Sequence, residues 1–390
     1  MYCSFHLRFF FLINAGLACA LSVQPALAER PPIGEARPPI HVKGNATSGP
    51  TGLSPAQARH FYGFDQLTNQ GAGQTIAIVD AFDDPNIESD LGVFSAKFGL
   101  PACTRSNGCF TKLYAAGSKP RTDAGWSLEI ALDVEWAHAI APAAKILLVE
   151  AASNSFTNLI PAVDVAVANG ASVISMSFGG NEFSSQTTYD NHFNVAGVTF
   201  IASSGDGGSG VEYPAASPYV VSVGGTTISL ADSSGAYGTE AAWSGSGGGR
   251  SNYEVEPPYQ SNFGIVSNGR GVPDVAYNAD PSTGFSVYDS VRYQGQAGWF
   301  QIGGTSASAP QWAALFAIVN STRTANGKGS INFAQSALYD LSTYGANFHD
   351  ITSGSNGSCG SICTASSRYD FVTGLGSPRT PALVNAFASY

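Results

Sequence analysis

The chain has 390 residues, a formal net charge of −10 and only 12% charged residues. Its negative charge argues against nucleic acid or an anionic membrane as a partner, because both repel an acidic surface. The length allows one large domain or two ordinary ones, and 44% hydrophobic residues support a sizeable core. The scarcity of carboxylates is compatible with work in acid, since few groups then gain a proton that could unfold the protein.

The first 28 residues predict an export signal. His6 and Arg8 precede an apolar run from Phe9 to about Val23, and Ala26-Leu27-Ala28 matches a cleavage site. We therefore expect residues 1–28 to be a signal peptide and the protein to be secreted, into the extracellular space or, in a Gram-negative host, the periplasm. The apolar run is short for a transmembrane helix and nothing later resembles one, so we expect no membrane partner.

Residues 29–50 are rich in proline, glycine and serine and show no periodic pattern. Such a composition indicates a flexible leader. From residue 51 to residue 390 there is no internal repeat and no sign of a second core, so we predict a single domain.

Strand and helix patterns alternate through the first half of this domain. Apolar runs of the kind found in buried parallel strands occur at 75–80, 145–149, 171–176, 198–202 and 219–223, and helical patterns at 88–98, 127–140 and 158–169. The alternation predicts an α/β fold with a central, mostly parallel sheet and helices on both faces. Ligands bind beyond the carboxyl ends of such strands, where Asp80, Ser177 and Asp206 fall. From about Leu230 to Phe300 the pattern weakens, and we expect surface loops and short strands there.

Four cysteines remain once the signal is removed, and they form two local pairs. Cys103 is close in sequence to Cys109, and Cys359 to Cys363. In an exported protein such pairs predict disulfides. Free thiols or metal ligands are the alternative.

Ser306 stands in Gly304-Thr305-Ser306, just before an apolar helical pattern that we expect to open at Pro310. A hydroxyl near the positive end of a helix dipole suits a nucleophile that becomes an anion. An ordinary N-cap serine is the alternative.

Two motifs place carboxylates where they could serve a serine. The spacing of Glu129 and Asp133 puts both on one face of an otherwise apolar helix, where they would share a proton and act as general base and acid at low pH. Asp206 follows an apolar strand and, if protonated, could donate a hydrogen bond to an oxyanion. The alternatives are an ordinary acidic helix in water for the pair, and a turn former or calcium ligand for Asp206.

The histidines do not indicate a serine–histidine enzyme. His138 shares a helix with Glu129 but comes nine residues later, which points it to roughly the opposite face. The other histidines beyond the signal lie in settings that do not aim them at Ser306; they are His41, His60, His192 and His349.

In their order along the chain these motifs resemble the sedolisin family of serine-carboxyl peptidases, from about residue 50 to the C-terminus. The resemblance implies a subtilisin-like three-layer fold and a serine-type endopeptidase acting on peptides or unfolded proteins as a monomer. Ser306 would be the nucleophile, Glu129 its general base and acid, and Asp133 the carboxylate that orients Glu129. Asp206 would stabilise the oxyanion, and Asp80 would extend the carboxylate network. A catalytically silent binding module on the same fold is the alternative.

The resemblance also implies a substrate-pairing strand and a calcium site. Ser177, Phe178 and Gly179 match the strand that pairs with the substrate backbone. One calcium ion would be held by the side chains of two aspartates and by three backbone carbonyls, at Asp350, Ile351, Ser366, Arg368 and Asp370. Family members usually have glycine where this chain has Ser366 and Arg368, and they usually carry a long pro-domain, for which residues 29–50 are too few.

Overall fold

The computed structural model describes Met1 and residues 32–265, 268–342 and 345–390. Apart from Met1, the predicted signal peptide lies outside the described residues.

The strands and helices are as follows. The strands are β1 (His41–Val42), β2 (Thr75–Ala81), β3 (Phe110–Tyr114), β4 (Lys145–Ala151), β5 (Val173–Met176), β6 (Gly180–Asn181), β7 (Thr199–Ser203), β8 (Glu212–Tyr213), β9 (Val220–Leu230), β10 (Tyr237–Ala242), β11 (Gly249–Arg250), β12 (Gly271–Val272), β13 (Val275–Asn278), β14 (Phe285–Tyr293), β15 (Gln296–Gly303), β16 (Phe348–His349) and β17 (Ser377–Pro378). The helices are α1 (Pro55–Tyr62), α2 (Ile87–Phe98), α3 (Ala124–Ile140), α4 (Phe156–Ala168), α5 (Pro258–Phe263), α6 (Thr305–Ala325), α7 (Ala334–Asp340) and α8 (Thr380–Ser389).

An eight-stranded sheet organises the fold. Seven of its strands follow the order β10-β9-β7-β5-β2-β4-β3, and β13 also pairs with β9. All neighbours run parallel except β9 and β10. The predicted α/β fold class, with a central and mostly parallel sheet, is confirmed.

Helices cover both faces of this sheet, which is why its strands are apolar throughout. Alternate residues of a strand point to opposite faces. Ile76 and Ile78 of β2 lie in the hydrophobic cluster that contains α3 and α6, whereas Ala77 and Val79 lie in the cluster that contains α4. The same alternation places Asp80 on the α3 side, at the carboxyl end of β2.

The prediction of surface loops and short strands between Leu230 and Phe300 was wrong for its last part. There β14 and β15 form a long antiparallel hairpin, with Phe285 and Val287 fully buried. Helix α3 packs against this hairpin and shields it from solvent. The Trp136 indole N–H donates to the Ser286 carbonyl over 2.9 Å, and the Trp136 ring contacts Phe285 edge-on. Because a distant helix buries this hairpin, its burial could not be read from the pattern of apolar residues in the hairpin sequence.

The helix expected to open at Pro310 opens instead at Thr305, so Pro310 lies inside α6. Proline has no N–H, and it therefore cannot donate to the carbonyl four residues earlier, which belongs to Ser306. That carbonyl accepts a hydrogen bond from the Ser177 hydroxyl instead, over 3.3 Å.

Both predicted disulfides are confirmed, Cys103 with Cys109 and Cys359 with Cys363. Each closes a short surface excursion. Within the described ranges, no helix is long and apolar enough to cross a membrane.

Candidate active site

Glu129 and Asp133 lie fully buried on α3. The Asp123 side chain caps this helix by accepting the amides of Gly125 and Trp126. From Trp126 to Ile140 every residue of α3 is buried, because the helix is enclosed by the sheet, α6 and β14. Because α3 is apolar on all sides, it lies within the core, and its few carboxyl side chains are therefore buried as well.

Burial and mutual repulsion control the protonation of these carboxyls. Burial raises the pKa of Glu129, and the charges of Asp133 and Asp80 raise it further. Burial also raises the pKa of Asp133 and of Asp80, the latter with added repulsion from Asp133 and Glu150. Three buried carboxyls this close favour shared protons over full ionisation.

Ser306 faces this carboxyl group from the first turn of α6. Its hydroxyl is near enough to the Glu129 carboxyl to lower the pKa of Glu129. Neither the Ser306 Oγ nor the Glu129 oxygens have a partner in hydrogen-bond geometry among the described residues. Ser177 links the two sides, because its hydroxyl bonds to the Ser306 carbonyl and also lowers the pKa of Asp133.

Asp206 is held against the start of α6 on the other side of Ser306. Its Oδ1 accepts both the backbone N–H and the hydroxyl of Thr305, each over 2.8 Å. Its Oδ2 lies 3.2 Å from Nε2 of His41, and this contact raises the pKa of His41. Thr305 and His41 were both missed at the sequence level: Thr305 could have been suspected from its place beside Ser306, but His41 lies in a segment without pattern.

Residues 35–42 of the predicted leader lie across this site in an extended path. The backbone groups of Arg37 and Gly179 exchange two hydrogen bonds, of 2.9 and 3.1 Å. The carbonyl oxygen of Pro39 then accepts the backbone N–H of Ser306 over 3.3 Å. Further on, His41 and Val42 pair with β15 as β1. A peptide segment thus runs antiparallel to the strand predicted to bind substrate and presents a carbonyl to Ser306.

The predicted substrate-binding residues and two further ionisable residues lie as follows. Ser177 and Phe178 are fully buried beside Gly179 at the end of β5. His138 lies away from Ser306, with its Nε2 2.8 Å from the Pro101 carbonyl. Glu150, which no motif singled out, faces Asp80 in register across β2 and β4.

The predicted calcium residues meet around one loop. The N–H of Arg368 donates to Asp350 over 3.0 Å, and the N–H of Ser366 donates to Asp370 over 3.0 Å. Arg368 has φ +70°, the conformation that a glycine adopts freely, so the loop keeps a glycine-like shape without glycine. The Arg368 guanidinium lies over the ring of Phe263, 5.8 Å from its centroid. Asp350 and Asp370 thus bring two carboxylates, the kind of oxygen ligand that calcium takes, to the same loop.

The comparisons with known proteins identify the family of this chain. The sequence model of the subtilase family matches residues 115–360, which is more than half of the chain. The chain therefore belongs to the subtilase family. Within it, the chain belongs with the sedolisins, as its motifs predicted.

Three matches place it there. Kumamolisin of Bacillus sp. (strain MN-32) is 34% identical over 367 residues, covering 85% of this chain and 63% of kumamolisin. Sedolisin of Pseudomonas sp. (strain 101) is 33% identical over 255 residues, covering 57% of this chain and 42% of sedolisin. The chain thus spans less than two thirds of either relative. The solved structure of Pseudomonas sedolisin, complexed with two molecules of pseudo-iodotyrostatin, has a TM-score of 0.75 at 28% identity, covering 87% of this chain and 99% of that one.

Proposed function

We propose that this chain is an acid-acting serine endopeptidase that cleaves peptide bonds through an acyl-enzyme on Ser306. One observation carries the proposal. The Ser306 hydroxyl lies beside the buried carboxyl pair Glu129 and Asp133, while its backbone N–H meets the carbonyl of an extended peptide segment.

The proposed reaction uses these residues, Asp206 and a water molecule. The Ser306 oxygen attacks the peptide carbonyl carbon as its proton passes to Glu129. The Ser306 N–H and a protonated Asp206 donate hydrogen bonds to the resulting oxyanion. Glu129 then gives the proton to the leaving amine, and the peptide C–N bond breaks. In the second half, Glu129 accepts a proton from a water molecule that attacks the ester, and returns it to Ser306.

The protonation of the carboxyl group matters to each of these roles. Glu129 must be ionised to accept the Ser306 proton, and a carboxylate whose pKa is raised by burial and by neighbouring carboxyls is then a stronger base than an exposed one. Asp206 can donate to an oxyanion only when it carries a proton. Asp133 holds Glu129 in place and shares its proton.

The proposal also includes secretion and the binding of one calcium ion. The two disulfides are consistent with a secreted protein. One calcium ion, held by Asp350, Asp370 and carbonyls of the same loop, would stiffen the C-terminal region. It would take no part in the reaction.

The test is Glu129→Gln, measured on a mixed peptide library at low pH after incubation until the rate is steady. The incubation matters because residues 35–42 lie in the cleft. We expect kcat to fall by about 10³-fold, since removal of a general base lowers the rate by about 10²–10⁴-fold.

The matched control is Glu135→Gln on the same helix. The Glu135 carboxyl is equally buried, but it accepts a hydrogen bond from the backbone N–H of Tyr288. This variant should keep most of the activity. Undiminished hydrolysis by Glu129→Gln would exclude the proposed mechanism.

A further inference from the structure

The peptide segment in the cleft has a defined register relative to Ser306. Its Pro39 carbonyl meets the Ser306 N–H, and Arg37, two residues earlier, pairs with Gly179. If Pro39 stands where the residue before a cleaved bond would stand, Arg37 occupies the place of the third residue on the amino side of that bond.

A buried carboxylate lies behind this place. Glu212 begins β8 and is only 3% exposed. A side-chain carbon on Gly205 would come within 2.7 Å of its carboxyl carbon, and one on Gly179 would collide with its Oε2. The two glycines therefore leave room for the Glu212 carboxylate between the peptide-pairing backbone and the loop that carries Asp206.

The Arg37 side chain brings a positive charge to that carboxylate. Its Nη2 lies 3.7 Å from Oε1 of Glu212, and the two side chains are 19% and 4% exposed. A cation beside a carboxylate that is taken out of water stabilises it. A substrate that replaces residues 35–42 and carries a cation at the same place offers Glu212 the same contact.

We infer that Glu212 is a specificity determinant that selects arginine as the third residue on the amino side of the cleaved bond. The inference rests on the proposed function and deepens it. Arginine is favoured over lysine because a planar guanidinium with five N–H donors matches a carboxylate better than a single ammonium does.

The main experiment measures inhibition by peptides that copy residues 35–42, with arginine, lysine or glutamine in place of Arg37. Each peptide competes with an unrelated fluorogenic peptide, so the result does not depend on whether the copy is itself cleaved. We expect the arginine peptide to bind about tenfold more tightly than the glutamine peptide, as for a partly desolvated ion pair. Glu212→Gln should abolish this difference, and the exposed control Asp164→Asn should keep it. The inference is overturned if wild type binds the arginine and glutamine peptides equally, or if Glu212→Gln still prefers the arginine peptide. Neither result affects the proposed peptide hydrolysis.

A second measurement decides the inference even if no peptide is hydrolysed. In a Ser306→Ala background, Arg37→Gln, Glu212→Gln and the double variant form a cycle of unfolding free energies in urea. If Glu212 recognises the Arg37 side chain, the two losses are not additive and the double variant is little less stable than Glu212→Gln alone. Additive losses overturn the inference. Absence of hydrolysis by wild type counts against the proposed function instead.

Discussion

The backbone N–H of Ser306 donates to the carbonyl oxygen of Pro39 over 3.3 Å, although the two residues are far apart in sequence. The contact places a peptide carbonyl at the first turn of α6, where the helix dipole and this N–H favour developing negative charge. It also means that the cleft of this chain is filled by the chain itself. Any added peptide must displace residues 35–42 before it reaches Ser306.

Gly304→Ala should disrupt this arrangement. Gly304 has φ +116°, and a side-chain carbon there would lie 2.6 Å from Oδ2 of Asp206 and collide with the Pro39 carbonyl. We expect a loss of about 2 kcal/mol or more in the free energy of unfolding from the backbone alone, together with loss of peptide hydrolysis. Urea unfolding and a peptide assay at low pH would measure both. Gly329→Ala, where nothing lies within 4 Å, is the control and should change neither.

Ser177→Ala should slow catalysis more than it destabilises the fold. The Ser177 hydroxyl bonds to the Ser306 carbonyl that Pro310 leaves without a helical donor, and it also contacts Asp133. Its removal should lower kcat by about tenfold and the free energy of unfolding by about 1 kcal/mol, the usual worth of one hydrogen bond. Ser175→Ala is the matched control, two residues earlier, in β5. Ser175 is equally buried, and its hydroxyl has no hydrogen-bond partner among the described residues. Equal kcat losses in the two variants would contradict a special role for Ser177.

Calcium should raise the unfolding temperature of this protein. Ligand at 100 times its Kd stabilises the folded state by about 2.7 kcal/mol. We expect a chelator to lower Tm in wild type and added calcium to restore it. In Asp350→Asn the response to calcium should be weak or absent, because one of the two carboxylates is lost. A wild-type Tm that is the same with chelator and with calcium would exclude the proposed site.

Much of the site could be predicted because its chemistry lies in local patterns. An apolar helix with carboxyls at Glu129 and Asp133 predicts their burial, and the strand ends predict that Asp80 and Asp206 lie at one edge of the sheet. The position of residues 35–42 could not be predicted, since the groups that hold them are backbone atoms of Gly179 and β15. The β14–β15 hairpin was missed for a similar reason, because its cover is Trp136. Roles assigned to Ser306 and its neighbours stay predictions until tested.

Stability should fall as the pH rises from about 4 to about 8. Burial raises the pKa of Asp289 from 3.8 to about 8, with added repulsion from Asp84, whose own pKa is raised to about 7 by burial. Between the unfolded and folded pKa values, the folded state holds protons that the unfolded chain has lost. The stabilisation from these groups is therefore complete below about pH 4 and is lost as the pH rises through 7 and 8. The nearby Asp90 and Glu135, whose pKa values burial also raises, act in the same direction.

Unfolding in urea at pH 4, 6 and 8 measures this effect. His349, whose pKa burial lowers to about 4, and His138, whose pKa burial also lowers, oppose it by losing stability as the pH falls below 6.5. These two groups do not offset several raised carboxyls. Asp289→Asn cannot ionise, so its deficit relative to wild type should shrink between pH 4 and pH 8, whereas the exposed control Asp164→Asn should keep the wild-type slope. Stability that is constant or rises towards pH 8 would show that these buried carboxyls do not govern the fold's response to pH.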